Sequence, residues 1–296
     1  MTTSETNNKN YKLIIGRHCL TKFPHFLPGA VEETVSYNAN ALAVFVGSPQ
    51  NSKRQPINKL KISEFKNALK KSKIDINNVI VHGPYVFNLA NALDEEKFQW
   101  SVNFLKKELA RMAEIGLKTI VLHPGSAVKT PTQKALDQVV HGINLILAEN
   151  SDIRIALETM CGRGSEVGKT FQELKYIMNK IEQKKRIGVC WDTCHLYSAG
   201  YDIKNNLEAV IKEFDREIGL DKLWVIHIND STANLGEKID KHENIGYGKI
   251  GWEALKKITL HPKFDGKIKL LETPREREKE NENILKDEIR ILKENN

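Results

Sequence analysis

Cysteine is scarce in this 296-residue chain, and its four residues, Cys19, Cys161, Cys190 and Cys194, include no CxxC pair. That pattern is no secreted disulfide framework, and it points to a reducing compartment. A chain of this length buries roughly three quarters of its unfolded surface and needs no covalent staples. Long apolar runs are also missing: none approaches the roughly 18 residues of a membrane helix. The opening MTTSETNNKN lacks the apolar core of a signal peptide. Residues 1–10 are expected to be a disordered tail and residues 11–296 a single catalytic domain, in the cytoplasm. No low-complexity linker divides the chain, and no unpaired apolar stripe calls for a second subunit, so a monomer is expected. Excess acid is absent as well. Net charge is +7, which fits either a polyanionic partner such as nucleic acid or lysines on solvated helix faces.

Against an ordinary 40% hydrophobic and 28% charged background, one pattern recurs. Six short apolar runs end on an ionisable side chain: VIVHG with His82, IVLHPG with His123, IALETM with Glu158, VCWDTCH with Asp192 and His195, WVIHIND with His227, and LLETP with Glu272. An unpaired ionisable group at the end of a buried strand costs several kcal/mol. Six in succession imply that the ends meet, and a metal site is the natural reason.

Eight strand-like runs are expected: Leu13–Ile15, Ala41–Val46, Val79–His82, Thr119–His123, Ile153–Glu158, Ile187–Asp192, Leu223–Ile228 and Ile268–Glu272. Helical periodicity fills several gaps. One helix closes on Gly116, another starts at the cap Thr170, and a last one covers about Glu280–Lys293. Such alternation fits an α/β fold, either a single (β/α)8 TIM barrel or an open doubly wound sheet. Strand ends decide for the barrel, because an open sheet would spread six ligands along one edge, whereas a closed ring gathers them at its C-terminal mouth. Ile80, Val121, Ala156, Cys190, Val225 and Leu270, each two residues before a strand-end ligand, supply the small or apolar inward layer a barrel requires.

Asp240 and His242 add an Asp-x-His pair after the seventh strand, and His195 lies three residues past Asp192. The set of five imidazoles and four carboxylates suits zinc, with iron or manganese also accommodated. Four carboxylates bring four negative charges, and three divalent ions would bring six positive ones. The surplus matches one hydroxide and one phosphodiester.

At these residues the chain resembles the endonuclease IV family of abasic-site endonucleases. The resemblance is carried by VLHPG, ETMCGRGSEVG, GVCWDTCHLYSAGYD, HINDS, IDKHENIGYGKIG and LLETP, and it runs from about residue 12 to the last helix. It implies three zinc ions: one on His82, His123 and Glu158, one on Glu158, Asp192, His227 and Glu272, and one on His195, Asp240 and His242. Glu158, shared by two ions, and Glu272 are the implied catalytic carboxylates. The implied reaction is hydrolysis of the phosphodiester 5′ to an abasic site in double-stranded DNA. It leaves a 3′-hydroxyl and a 5′-deoxyribose phosphate, a step of base excision repair.

Tyr85 and Val86, in HGPYVFN, match the family's wedge pair, which fills the gap in a kinked duplex. GSPQNSKRQ stands where another DNA-probing loop is found. Asn51 there replaces an arginine of some relatives, and Lys53 and Arg54 follow it as candidate DNA contacts. Lys241 stands where arginine is more usual, keeping the charge but not the bidentate geometry. His25, His141 and His261 are read as surface or core residues, and His18 as facing the mouth. The rival is a metal-dependent sugar isomerase or epimerase on a similar barrel. It would use Glu158, Asp192, His227 and Glu272, and would leave the other five ligand candidates without a role.

Overall fold

The computed structural model describes residues 12–149 and 152–294, so the tail expected over residues 1–10 lies outside the described residues. The apolar runs form the parallel strands β1 (Ile14–His18), β2 (Ala41–Val44), β3 (Val79–His82), β4 (Thr119–Leu122), β5 (Arg154–Glu158), β6 (Ile187–Asp192) and β7 (Leu223–His227). Two short strands, β8 (Asp230–Ser231) and β9 (His242–Glu243), pair antiparallel, and β10 (Ile268–Leu271) completes the ring. The closed order is β1-β10-β7-β6-β5-β4-β3-β2, the eight-stranded barrel that the sequence implied.

Nine α-helices are assigned among the described residues: α1 (Phe26–Ser36), α2 (Ile62–Lys71), α3 (Glu95–Ile115), α4 (Thr132–Leu147), α5 (Phe171–Lys180), α6 (Thr193–Ala199), α7 (Leu207–Glu217), α8 (Trp252–Thr259) and α9 (Ile284–Lys293). Local chemistry sets their ends. Asp94 accepts the Lys97 N–H at 3.0 Å to start α3, which stops at Gly116 with φ +93°. Thr170 caps α5 through the Glu173 N–H at 3.1 Å. The last helix begins at Ile284 rather than near Glu280. Asn281 Oδ1 accepts the Asn283 N–H at 3.0 Å, a local turn that competes with helix.

Alternation divides the core in two. Ile14, Ala41, Ala43, Ile80, Val121, Ala156, Cys190, Val225, Ile268 and Leu270 point inward and fill the barrel, and they include all six residues expected there. Outward residues pack under the helices. Trp191 lies 5.1 Å from Phe214 and 5.3 Å from Phe264, ring centre to ring centre. The register slips between β6 and β7 at Val189/Cys190, so that Cys190 pairs Val225 and Asp192 pairs His227. That irregularity places Asp192 and His227 side by side at the mouth.

The pairing of β8 with β9 folds the long segment after β7 back across the mouth. Ser198 of α6 holds it there, with its Oγ donating to Ile239 O at 2.9 Å. From below, the buried Glu288 of α9 accepts from Asn244 Nδ2, Ile245 N and Thr273 Oγ1 at 2.9, 2.8 and 2.6 Å. One carboxylate thereby ties the His242 segment and the Glu272 segment to the last helix.

Candidate metal centre

The strand-end ligand candidates converge in one cluster of side chains at the C-terminal mouth. His82, Glu158, Asp192 and His227 are the last residues of β3, β5, β6 and β7, while His123 and Glu272 stand one residue past β4 and β10. Glu158 is fully buried at the centre. Its Oε2 lies 3.4 Å from His82 Nε2 and 3.2 Å from His123 Nε2. Its Oε1 lies 3.2 Å from His227 Nδ1 and 3.4 Å from His195 Nδ1. Glu272 reaches His227 at 3.2 Å and His82 at 3.9 Å. On the far side Asp240 lies 3.1 Å from His195 Nε2 and 3.7 Å from His242 Nε2, and His242 is 3.6 Å from Asp192.

These separations suit a shared ion. Bonds of about 2.0–2.2 Å to one tetrahedral zinc leave neighbouring donor atoms roughly 3.3–3.6 Å apart. His82, Glu158, His227 and Glu272 each offer an atom within 4.8 Å of the others, as do His195, Asp240 and His242. A second observation agrees. Glu158 Oε2, His195 Nε2 and His242 Nε2 are buried and make no well-aligned hydrogen bond among the described residues, although His123 and Asp240 approach the first two at 3.2 and 3.1 Å. Orphaned buried donors and acceptors on one cavity are what a cation would satisfy. The donor set is therefore compatible with the divalent ions the sequence implied.

Electrostatics point the same way. Burial by itself would raise the Glu158 carboxyl, but His227, His123 and His195 hold it well below the usual carboxylate range. Glu272 is likewise held low by His227 and His18 against the effect of burial. Asp240 is drawn down to about 2 by His195 and His242, which outweigh its desolvation. Burial disfavours the His195 and His227 imidazolium ions, yet Asp192, Asp240 and Glu158 push the first, and Cys190, Glu272 and Glu158 the second, well above the ordinary histidine value. The cavity favours positive charge.

Support lies one contact further out. His82 Nδ1 meets Gly83 O at 2.7 Å and His195 Nδ1 meets Thr159 O at 2.9 Å, which frees Nε2 of each ring for a ligand. Asp192 Oδ1 accepts the His195 N–H at 2.8 Å, so one candidate ligand caps the helix that carries another. Asn229 Nδ2 donates to Asp192 Oδ2 at 2.6 Å, and Asn229 Oδ1 accepts the Glu272 N–H at 2.8 Å. Sequence reasoning assigned Asn229 and Thr159 no role. Their signal is only adjacency, two residues past His227 and one past Glu158. His18 does face the mouth, with Nδ1 3.3 Å from Glu272. Cys190 fills the barrel and Cys194 is buried, and burial pushes both thiols up to about 12.

The candidate DNA contacts divide. Tyr85 is 55% exposed, stands 5.3 Å from the His82 ring and 5.5 Å from the His123 ring, and packs against Phe45 at 5.8 Å. Val86 is half-buried beside it, and Asn51, Lys53 and Lys241 are exposed on the rim. Arg54 turns inward instead. Its Nε donates to the buried Glu108 at 2.7 Å, and its Nη1 to the carbonyls of Ser48, Asn51 and Lys53 at 3.0, 2.8 and 2.9 Å. Arg275 is engaged by Glu33.

Comparison with known proteins places these features in context. Residues 31–295 match a family model described as xylose isomerase-like TIM barrel. A relative in Acholeplasma laidlawii, named probable endonuclease 4, is 44% identical over 264 residues, covering 88% of this chain and 90% of that protein. The crystal structure of endonuclease IV from Thermus thermophilus superimposes with a TM-score of 0.79 at 29% identity, covering 93% of this chain and 98% of the other. A 3-keto-D-glucoside 4-epimerase from E. coli superimposes with a TM-score of 0.66 at 16% identity, covering 95% and 99%, a likeness of fold alone.

Proposed function

Because the chain belongs to the endonuclease IV family and is a nuclease of that type, we propose that it is a metal-dependent abasic-site endonuclease of base excision repair. It hydrolyses the phosphodiester 5′ to an abasic site in duplex DNA and leaves a 3′-hydroxyl and a 5′-deoxyribose phosphate. The observation that carries the reading is Glu158, whose carboxylate touches four imidazoles at 3.2–3.4 Å in the mouth of the barrel.

In this reading His82, His123 and Glu158 hold one ion, Glu158, Asp192, His227 and Glu272 a second, and His195, Asp240 and His242 a third. Zinc is the assigned metal, with manganese or iron accommodated at some sites. Ions held there would supply Lewis acidity toward a water and toward the phosphate oxygens. Glu158 keeps two donor sets in register. Glu272, ionised and 11% exposed where Glu158 is closed off, orients the attacking water. Tyr85 and Val86 enter the duplex at the lesion, while Lys53 and Lys241 contact backbone phosphates. The catalytic domain spans residues 11–296 and acts as a cytoplasmic monomer. No described helix is long and apolar enough to cross a membrane. The sugar-epimerase alternative leaves His82, His123, His195, Asp240 and His242 unexplained, and its support is limited to fold.

The test is a duplex carrying one tetrahydrofuran abasic analogue, which cannot undergo β-elimination, incubated with and without a chelator. Hydrolytic cutting that stops on chelation and returns with zinc is expected. Absence of cutting, or cutting indifferent to the chelator, overturns the proposal.

A further inference from the structure

On the rim, one exposed aromatic side chain has no role in the reading above. Tyr247 is 57% exposed, slightly more than Tyr85 at 55%. It is held at the tip of a turn by unusual anchoring. The fully buried Asp230 accepts backbone N–H bonds from Gly246 at 2.9 Å, Gly248 at 3.1 Å and Ile250 at 2.9 Å, as well as from Ser231 at 2.8 Å. Its flanking glycines are sterically required. A Cβ at Gly246, where φ is +85°, would stand 1.9 Å from Trp252 Nε1, and one at Gly248 would stand 2.4 Å from Asp230 Oδ1. The turn is therefore rigid, and it begins only a few residues past His242.

The ring is also backed by a cation. Arg277 Cζ lies 4.3 Å from the centre of the Tyr247 ring. Glu243, adjacent to His242, fixes that guanidinium through Arg277 Nε at 3.1 Å and Nη2 at 3.4 Å. The exposed Tyr sits on a pre-ordered turn against an Arg that Glu243 and Glu280 pair at 3.1 and 3.8 Å, and the nearby sequence adds two exposed cations, Lys241 and Lys249, so a π face is combined with positive charge. That pairing suits an unstacked nucleotide: the ring takes the base or sugar and the cations take the phosphate. A rigid aromatic loses little conformational entropy on binding, so the exposed ring is an efficient contact.

We infer that Tyr247, braced by Arg277, is a second aromatic DNA contact. It rests against a nucleotide flanking the lesion on the side of the mouth away from Tyr85. This rests on the nuclease reading, and it adds a residue outside the ligand set and the wedge. Tyr85 comes from the segment after β3 and Tyr247 from the segment that follows β7 and β9, and β3 stands four strands from β7 in either direction round the closed barrel, so the two loops are rooted on opposite sides of it.

The experiment compares wild type with Tyr247→Ala, Tyr247→Phe and Arg277→Met on a tetrahydrofuran duplex bearing 2-aminopurine at successive positions beside the lesion. Tyr247→Ala should raise Kd about tenfold, the scale of one lost stacking contact, and should abolish the fluorescence change at one flanking position. Tyr247→Phe should restore both, because the ring and not the hydroxyl makes the contact. Arg277→Met should give an intermediate Kd. Bound metal and kcat at saturating DNA should stay at wild-type values throughout. Wild-type Kd in Tyr247→Ala overturns the inference, as does equal loss in Ala and Phe, or loss of metal with the ring. If wild type itself fails to cut the duplex, the nuclease reading fails, a result distinct from any of these.

Discussion

Asn229 grips Asp192, with Nδ2 donating to the carboxylate Oδ2 at 2.6 Å, and both residues are fully buried. The other end of the amide accepts the Glu272 N–H, so a neutral side chain sets the spacing between two candidate ligands. Asn229→Ala should weaken zinc binding about 10- to 100-fold, the usual effect of deleting a partner that orients a ligand. Titration of metal-stripped protein against a competing chelator measures it. Unchanged affinity would show that Asp192 needs no such guide.

Glu158→Gln is the sharper probe of the centre. The amide preserves volume but supplies one neutral oxygen where a carboxylate faces four imidazoles. Cutting of the tetrahydrofuran duplex should fall by roughly 1,000-fold or more, and bound zinc by at least one ion per chain, as removal of a central charge stabiliser implies. Elemental analysis alongside kinetics checks both. Full metal content with near-normal cutting would refute the shared-ligand role of Glu158.

Much of this was legible in the sequence because ionisable residues at strand ends are rare without cause. The inward layer of Ile80, Val121, Ala156, Cys190, Val225 and Leu270 followed from period-two alternation, and the structure places all six inside the barrel. Element ends were less legible. Ala41–Val46 was expected as a strand and β2 stops at Val44, because strand length depends on what pairs beside it, and β3 pairs only as far as Val44. Side-chain direction was invisible too. Lys53 and Arg54 look alike as a pair of cations, yet Lys53 is exposed and Arg54 folds back on its own loop. Its partner Glu108 lies 54 residues away on α3, a distance that local pattern does not register.

Arg54 should accordingly act through the loop it closes. Arg54→Met strands the Glu108 carboxylate, only 2% exposed, and should cost about 3–5 kcal/mol, as breaking a buried pair does. Arg54→Met combined with Glu108→Leu removes the stranded charge and should recover most of that stability. Abasic-duplex binding should remain weak in the double variant, because the carbonyls of Ser48, Asn51 and Lys53 have lost their common donor. Equilibrium unfolding and duplex titration separate the two effects. A double variant that binds DNA like wild type would make Arg54 a stability residue only.

Lys269 offers a pH-dependent check far from the DNA loops. It lies on β10, fully buried in the layer beneath the helices, and its Nζ donates to Phe264 O. Burial disfavours the ammonium and brings its pKa down to about 8, against about 10.4 in an unfolded chain. The unfolded state therefore binds the proton more tightly, and the penalty on folding is complete below about pH 8. It fades as pH rises through the folded value and is gone above the unfolded one. Relative to Lys269→Met, in which other titrations cancel, wild type should gain stability between about pH 8 and 10.5, on the order of 3 kcal/mol in all. Urea unfolding of both proteins at steps across that range measures the difference. A constant gap between them would mean that the Lys269 ammonium is as well accommodated in the fold as in water.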